Sequence, residues 1–218
     1  SHLSGNIIMR TAQIIYNPAA GRFPVAPAIP SAEHALRDAG WEVSSVSTRS
    51  GEDGTYLAKR AVERGCDAVF AVGGDGTIGQ VASGLIDSET ALGILPAGTA
   101  NVSAKELGMQ PYSFLAGNAL EENAKKLRDA SIYAVDIGVC NQQPFLMWAG
   151  LGLDAISVQK VEPRFRLEKF FTMPEYATSI LLTAARWRGV SLRIWADSEE
   201  IEGHYILAVV NNIRNYMG

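Results

Sequence analysis

Cysteine is nearly absent from this chain: Cys66 and Cys140 are the two in 218 residues. Neither has a second cysteine or a histidine at metal-ligand spacing, which argues against a zinc site. Both read as buried thiols in a reducing compartment. Histidine is scarce as well. His34 falls on a surface helix and His204 at the start of a strand, and neither has an evident Ser or Asp partner for a nucleophilic site. No run of 18 apolar residues occurs, so no segment qualifies as a transmembrane helix. Residues 1–8 lack the basic start and long apolar stretch of a signal peptide, and Met9-Arg10 has the look of a natural start. The net charge of −4 argues against a general nucleic-acid binder, which would show a basic stripe. Internal repeats and low-complexity stretches are also missing. The 47% hydrophobic content is enough to bury one large core or two modest ones.

Strands and helices alternate in the first half. Ala12–Tyr16, Glu42–Thr48, Ala68–Val72 and Leu92–Leu95 read as strands. Between them, helices are expected over Ser31–Ala39, Glu52–Arg64 and Thr77–Ile86, followed by Ala100–Leu107. Gly40, Gly65 and Gly108 stand where helix-ending glycines belong. Such βαβ alternation predicts a doubly wound, three-layer α/β domain with a mostly parallel sheet. Right-handed crossovers then bring the strand-end loops to one edge, where such sheets bind ligands. After a helix over Ser113–Leu127 the pattern changes. Strands are expected at Tyr133–Val139, Pro144–Ala149, Val190–Trp195 and His204–Val210, interrupted by a helix at Pro174–Arg188. Strands in succession predict a second, mostly antiparallel domain. The boundary falls near Asp129-Ala130, giving domains over 9–129 and 130–218. The chain ends at Gly218 just past an apolar strand, so the second domain is expected to be truncated.

Three strand-end loops carry candidate chemistry. The first is Asn17-Pro18-Ala19-Ala20-Gly21-Arg22, where Pro18 stiffens the turn, Asn17 offers an amide and Gly21 permits close approach. An ordinary strand-to-helix turn is the competing reading. The second is Gly73-Gly74-Asp75-Gly76-Thr77, followed by the helical spacing of Ile78-Gly79-Gln80. Successive N–H groups of such a turn make a concavity for phosphate oxygens, reinforced by a helix N-terminus. Turns after strands often need glycine for geometry alone. A carboxylate inside the turn, however, is costly unless it meets a cation, a donor or water. The third is Pro96-Ala97-Gly98-Thr99-Ala100-Asn101, where Thr99 can donate to a phosphate oxygen and Asn101 can cap the helix.

In this order the three loops resemble the diacylglycerol kinase catalytic domain family, which includes bacterial lipid kinases and sphingosine kinases. The glycine motif alone is shared with NAD kinases and phosphofructokinases. Asp136-Ile137-Gly138, the run Phe145 to Ala155 and Asn212 to Gly218 are similar to segments of the family's second domain, so the resemblance covers nearly the whole chain from Met9. It implies an NAD kinase/diacylglycerol kinase-like fold with a β-sandwich second domain. It also implies ATP-dependent, Mg²⁺-assisted transfer of the γ-phosphoryl group to a lipid hydroxyl. By position, Asn17, Pro18, Ala19, Ala20 and Gly21 would line the nucleotide site, and Thr48 matches a family threonine there. The stretch Gly73, Gly74, Asp75, Gly76, Thr77, Ile78, Gly79 and Gln80 would wrap the phosphates. Gly98 and Thr99 would add to the cradle, with Asn101 holding the loop in shape.

Asp75 is the carboxylate available for catalysis, either toward Mg²⁺ through water or as base toward the lipid hydroxyl. Family members continue past the equivalent of Gly218 with an Asp-Gly segment linked to magnesium and a later carboxylate base, so the resemblance leaves the metal ligands unknown. The acceptor lipid would be met at a membrane surface by a cytoplasmic or peripheral protein. Arg164-Phe165-Arg166-Leu167-Glu168-Lys169-Phe170-Phe171 is a candidate interfacial segment, against a bland reading as core. A homodimer is compatible with all of this. Trp148, Trp187 and Trp195 read as core, and Lys125-Lys126-Arg128 as a solvated helix face. An NAD-kinase-like enzyme and a non-catalytic nucleotide-binding module are the alternatives.

Overall fold

Strand β1 (Arg10–Tyr16) sits in the middle of a four-stranded parallel sheet of order β2-β1-β3-β4. Its neighbours are β2 (Trp41–Ser47), β3 (Ala68–Gly73) and, beyond β3, β4 (Ala91–Pro96). The computed structural model describes residues 10–50, 52–99, 101–102, 104, 107–113, 116–153, 155 and 187–213. These form two units, one of described residues 10–146 and one over Met147–Ile213.

Both faces of the parallel sheet are covered, so its central strands read as continuous apolar runs. All of β3 is buried, and its residues alternate between two cores. Phe70 and Val72 face one core with Ile14, Leu36, Trp41 and Leu120. Val69 and Ala71 face the other with Ile15, Ala58, Ile78, Val81 and Ile94. The first core lies under α1 (Ile29–Arg37) and α4 (Ala119–Leu127), the second under α2 (Asp53–Glu63) and α3 (Asp75–Gly84). Gly40 and Gly65 end α1 and α2 at φ +81° and +73°, where glycine carries no Cβ penalty.

Register fixes the functional edge. Tyr16 pairs with Ser47 on one side and Val72 on the other, and Gly73 pairs with Pro96. The four strands therefore end in one row. The chain goes from β1 to β2 on one side, then crosses to β3 on the other. That reversal opens a crevice between the carboxyl ends of β1 and β3.

Several local expectations are corrected. Helix α4 begins at Ala119, not Ser113, because Ser113 instead forms a turn that takes the Ala116 N–H on its hydroxyl at 3.2 Å. Gly117-Asn118 then supplies turn chemistry before the helix. Helix α1 starts at Ile29, preceded by a 3₁₀ turn over Ala26–Ala28, with proline in its first turn. The strand expected at Tyr133–Val139 shrinks to β5 (Gly138–Cys140), which makes a hairpin with β6 (Gln143–Phe145). Asn141 and Gln142 take positive φ in that turn. Residues 130–137 have β-like composition but no ladder with a described strand.

The expected strand Pro144–Ala149 is two strands, β6 and β7 (Trp148–Gly152), because Leu146 between them packs into the second core. The expected strand His204–Val210 also divides, into β9 (Glu199–Tyr205) and β10 (Leu207–Asn211). The break is at Ile206, whose carbonyl accepts from the Leu153 N–H at 3.2 Å and the Trp187 indole at 2.8 Å.

Within the second unit, β7 pairs antiparallel with β10, and β8 (Val190–Ala196) with β9. The architecture is thus α/β with a separate antiparallel β region. Trp195 is 67% exposed, and Trp148 and Trp187 are half-buried, so none is core. Trp41 is the buried tryptophan, edge-on to Phe70. Neither cysteine is fully buried: Cys66 is half-buried and Cys140 exposed. Lys125 and Lys126 are exposed on α4. The interfacial candidate at Arg164 to Phe171 and the expected helix at Pro174–Arg188, up to its last two residues, lie outside the described residues. So does most of Ala100–Leu107, of which Val102 and Ala104 are helical.

Candidate functional site

The three loops meet at the carboxyl edge of the sheet. After β1, the Asn17 N–H still bonds to the Val72 carbonyl at 3.0 Å, so the loop leaves from the strand pair that borders the crevice. The Asn17 side chain turns back on its own loop, accepting the Ala19 N–H at 2.8 Å. Its amide donates to the Thr77 hydroxyl at 3.3 Å, tying the first loop to the first turn of α3. Thr48 follows β2 in the same row, buried, with its N–H bonded to the Tyr16 carbonyl at 2.9 Å.

The second and third loops are joined more closely still. The Gly73 carbonyl accepts from the Ala97 N–H at 2.8 Å and the Gly98 N–H at 3.1 Å. A Cβ built on Gly74 would stand 3.3 Å from the Gly98 Cα, and one on Gly98 would drive into the Gly74 backbone. Gly21 at φ +63° lies against the Ala97 carbonyl, where no side chain fits. Four glycines of the three loops, Gly21, Gly73, Gly74 and Gly98, are therefore explained by chain packing: a Cβ on Gly73 would meet the Thr77 side chain.

Asn101 adopts φ +52°, a region asparagine tolerates better than most residues. Its Oδ1 accepts the Gly98 N–H and its Nδ2 donates to the Gly98 carbonyl, both at 2.8 Å. The next residue begins a helical stretch, and its N–H, that of Val102, donates to Asp75 Oδ2 at 3.2 Å. Thr99 is left exposed at the loop's tip.

Gly76 and Gly79 are different. A Cβ on either would meet nothing within 4 Å among the described residues. They lie three residues apart in the first turns of α3, hence on one helix face. Glycine costs about 0.5–1 kcal/mol relative to alanine inside a helix, and no neighbour here requires it. Close approach of a ligand is the remaining physical reason, at a helix N-terminus suited to anions. The open strip beside Asp75 and Thr77 has the chemistry of an anion site.

Not every expected site residue reaches this edge with its side chain. Ile78 is fully buried in the second core. Gln80 packs over Gly54 of α2, and its carbonyl accepts the Thr55 hydroxyl at 2.9 Å, so it serves the α2–α3 contact. One residue at this edge was missed by the sequence reading. Asp53 accepts the N–H groups of Arg49 at 2.6 Å and Ser50 at 3.0 Å, and the Ser50 hydroxyl at 2.8 Å. These bonds, the Arg49 N–H foremost, hold its carboxyl below the ordinary value of 3.8. An aspartate three residues after a serine at a helix start was the available signal. Among the described residues, no group of three or more His, Cys, Asp or Glu side chains could hold a metal alone. His204, at the end of β9, meets Ser191 across the hairpin at 3.2 Å, a partner not foreseen from the sequence.

The model of the diacylglycerol kinase catalytic domain matches residues 11–140. A Bacillus subtilis (strain 168) diacylglycerol kinase is 37% identical over 146 residues, covering 66% of this chain and 46% of the relative. A diacylglycerol kinase of Staphylococcus haemolyticus is 28% identical over 212 residues, covering 95% of this chain and 62% of the relative. The chain thus spans about half to three-fifths of the length of these two curated relatives. A crystal structure of a diacylglycerol kinase from Bacillus anthracis str. Sterne superposes with a TM-score of 0.70 at 21% identity, covering 93% of this chain and 64% of that one. At that identity the likeness speaks for the fold.

Proposed function

Because this chain belongs to the diacylglycerol kinase catalytic domain family, we propose that it serves a lipid kinase, binding ATP at the carboxyl edge of its parallel sheet. The observation that carries this reading is the open face of Gly76 and Gly79 at the start of α3, beside loops otherwise closed by packing. Magnesium-bound ATP supplies the transferable phosphoryl group and offsets the negative charge that builds up during transfer.

The chain's own part is positioning, the larger share of catalysis in phosphoryl transfer. The α3 N-terminus and the N–H groups of its first turn hold phosphate oxygens. Asn17 and Thr77 set the near wall, and Gly98 and Thr99 the far one. Thr48 and the first loop line the nucleotide, with Pro18 stiffening its turn and Ala19 and Ala20 leaving room beside it. Asp75 is the carboxylate of these loops and would hold Mg²⁺ through water, since the ion keeps several waters and takes one or two carboxylates. The acceptor oxygen bonds to phosphorus as the bond to the ADP oxygen breaks, and the hydroxyl proton leaves to a base.

No described helix is long and apolar enough to cross a membrane. The lipid hydroxyl is reached at the bilayer surface, from the cytoplasm.

A transfer assay tests this with the full gene product, labelled ATP and mixed micelles. The acceptor panel is diacylglycerol, a sphingoid base, ceramide, phosphatidylglycerol, a polyprenol and NAD. Label in a lipid is expected, diacylglycerol first. Label in NAD would replace this reading with an NAD kinase, and ATP binding without transfer would replace it with a binding module.

A further inference from the structure

We propose that Asp75 is the positioning residue that locks the third loop onto the second, through the hydrogen bond its Oδ2 accepts from the Val102 N–H at 3.2 Å. The bond spans 27 positions of sequence and joins the starts of two helical stretches. Asp75 opens α3, and Val102 is the first helical residue after the third loop. The N–H groups of a helix's first turn have no partner within the helix. Asp75 supplies one from a different element, acting on Val102 as a cap residue would in sequence. Its charge is also well placed at the N-terminus of α3.

The surroundings make this bond decisive for loop position. Asn101 and Val102 are each 2% exposed, so the Val102 N–H cannot exchange its partner for bulk water without opening the loop. Upstream, Asn101 clamps Gly98, and the Gly73 carbonyl holds Ala97 and Gly98. Those bonds fix where the loop begins. Only the Asp75 bond, among those described, fixes where it ends and the helix starts. Thr99 lies between these two anchors, exposed. The carboxylate expected to meet the metal therefore also sets the position of the loop that presents Thr99 to the phosphates. The lock itself requires an oxygen acceptor and not a charge.

This inference rests on the lipid-kinase reading for its meaning in catalysis, but its test does not. Amide exchange of Val102 is read by NMR without nucleotide or lipid, in the wild type and in D75A and D75N. Exchange in D75A is expected to be about tenfold faster, the equivalent of losing one net hydrogen bond. D75N keeps an acceptor oxygen and is expected to restore protection to near the wild-type level. V102P removes the donor from the other side, and a proline there also disfavours the left-handed Asn101 backbone at φ +52°. It should weaken ATP binding less than D75A, which also loses the carboxylate proposed to meet the metal, and adding V102P to D75A should cost little further. If D75A fails to fold, D75L, similar in size and without an acceptor, takes its place in the exchange measurement. Unchanged Val102 exchange in D75A, or exchange in D75N as fast as in D75A, would overturn the proposal. Failure of the kinase reading would show separately, as absent transfer by the wild type with Val102 still protected.

Discussion

Asn17 donates its side-chain amide to the Thr77 hydroxyl over 3.3 Å, across the crevice where the strand order reverses. The same side chain accepts the Ala19 N–H, so one asparagine shapes the first loop and anchors it to the helix proposed to face the phosphates. Asn17→Ala removes both bonds and is expected to cost about 1–2 kcal/mol of stability, the net worth of two ordinary hydrogen bonds. Asn17→Asp is the sharper variant. Its carboxylate still accepts from Ala19 and can accept from the Thr77 hydroxyl, but it places a negative charge beside the phosphate strip. Thermal unfolding should change little, while ATP affinity falls about tenfold or more. Equal ATP affinity in the wild type and Asn17→Asp would separate this edge from nucleotide binding.

The two kinds of glycine give opposite predictions for one chemical change. Gly76→Ala adds a methyl group where no described atom lies within 4 Å. It should stabilise α3 by about 0.5–1 kcal/mol and weaken ATP binding. Gly98→Ala puts the methyl into the Gly74 backbone, which cannot move aside as a flexible side chain would. Overpacking of that kind costs about 1–3 kcal/mol. Denaturant midpoints and nucleotide titrations on the pair measure both effects. A Gly76→Ala variant that is more stable and binds ATP as well as the wild type would remove the phosphate strip from the account.

The parallel sheet was legible because burial on both faces leaves runs such as Ala68–Val72 with no polar interruption, and glycines close the intervening helices. The three loops were legible for the same reason, each placed directly after such a run. What the sequence could not show is which glycine is required by chain packing and which is not. Gly73, Gly74, Gly76 and Gly98 have the same side chain, and only the distances to neighbouring atoms separate them. Gln80 and Ile78 were drawn into the site by adjacency along the chain, whereas helical geometry turns them toward α2 and the core. The stretch after residue 129 was less legible because its strands are exposed or half-exposed. Apolar runs such as Tyr133–Val139 then look like strands whether or not a partner lies alongside.

Asn123 is fully buried on α4 and has no part in the proposed chemistry. Its Oδ1 accepts the Gln110 N–H at 3.2 Å and its Nδ2 donates to the Gln110 carbonyl at 2.7 Å, so it pins the segment that follows the third loop. The same segment returns to the site's edge through the Tyr112 N–H, bonded to the Pro96 carbonyl at 2.9 Å. Asn123→Ala loses both bonds and is expected to destabilise by about 1–3 kcal/mol. Urea unfolding measures this. A change within a few tenths of a kcal/mol would mean that solvent replaces Asn123 at Gln110.

Asp53 provides a pH test of the loop after Thr48. Bonds from the Arg49 N–H, then the Ser50 hydroxyl, favour the ionised carboxylate and lower its folded-state pKa from 3.8. A depressed folded pKa means that the unfolded chain binds its proton first as pH falls. The stabilisation is therefore fully present above about pH 4–5 and disappears as pH drops through the folded value, below 3.8. Asp53→Asn retains an acceptor but cannot titrate. The wild type should unfold at a higher temperature than Asp53→Asn at neutral pH, and the gap should close progressively below pH 4. Because the carboxylate accepts its bonds at the protein surface, the gap should also be modest, as expected where water screens the charge. A gap that stays constant from pH 7 to pH 3 would show that Asp53 acts on this loop through its shape and not through its charge.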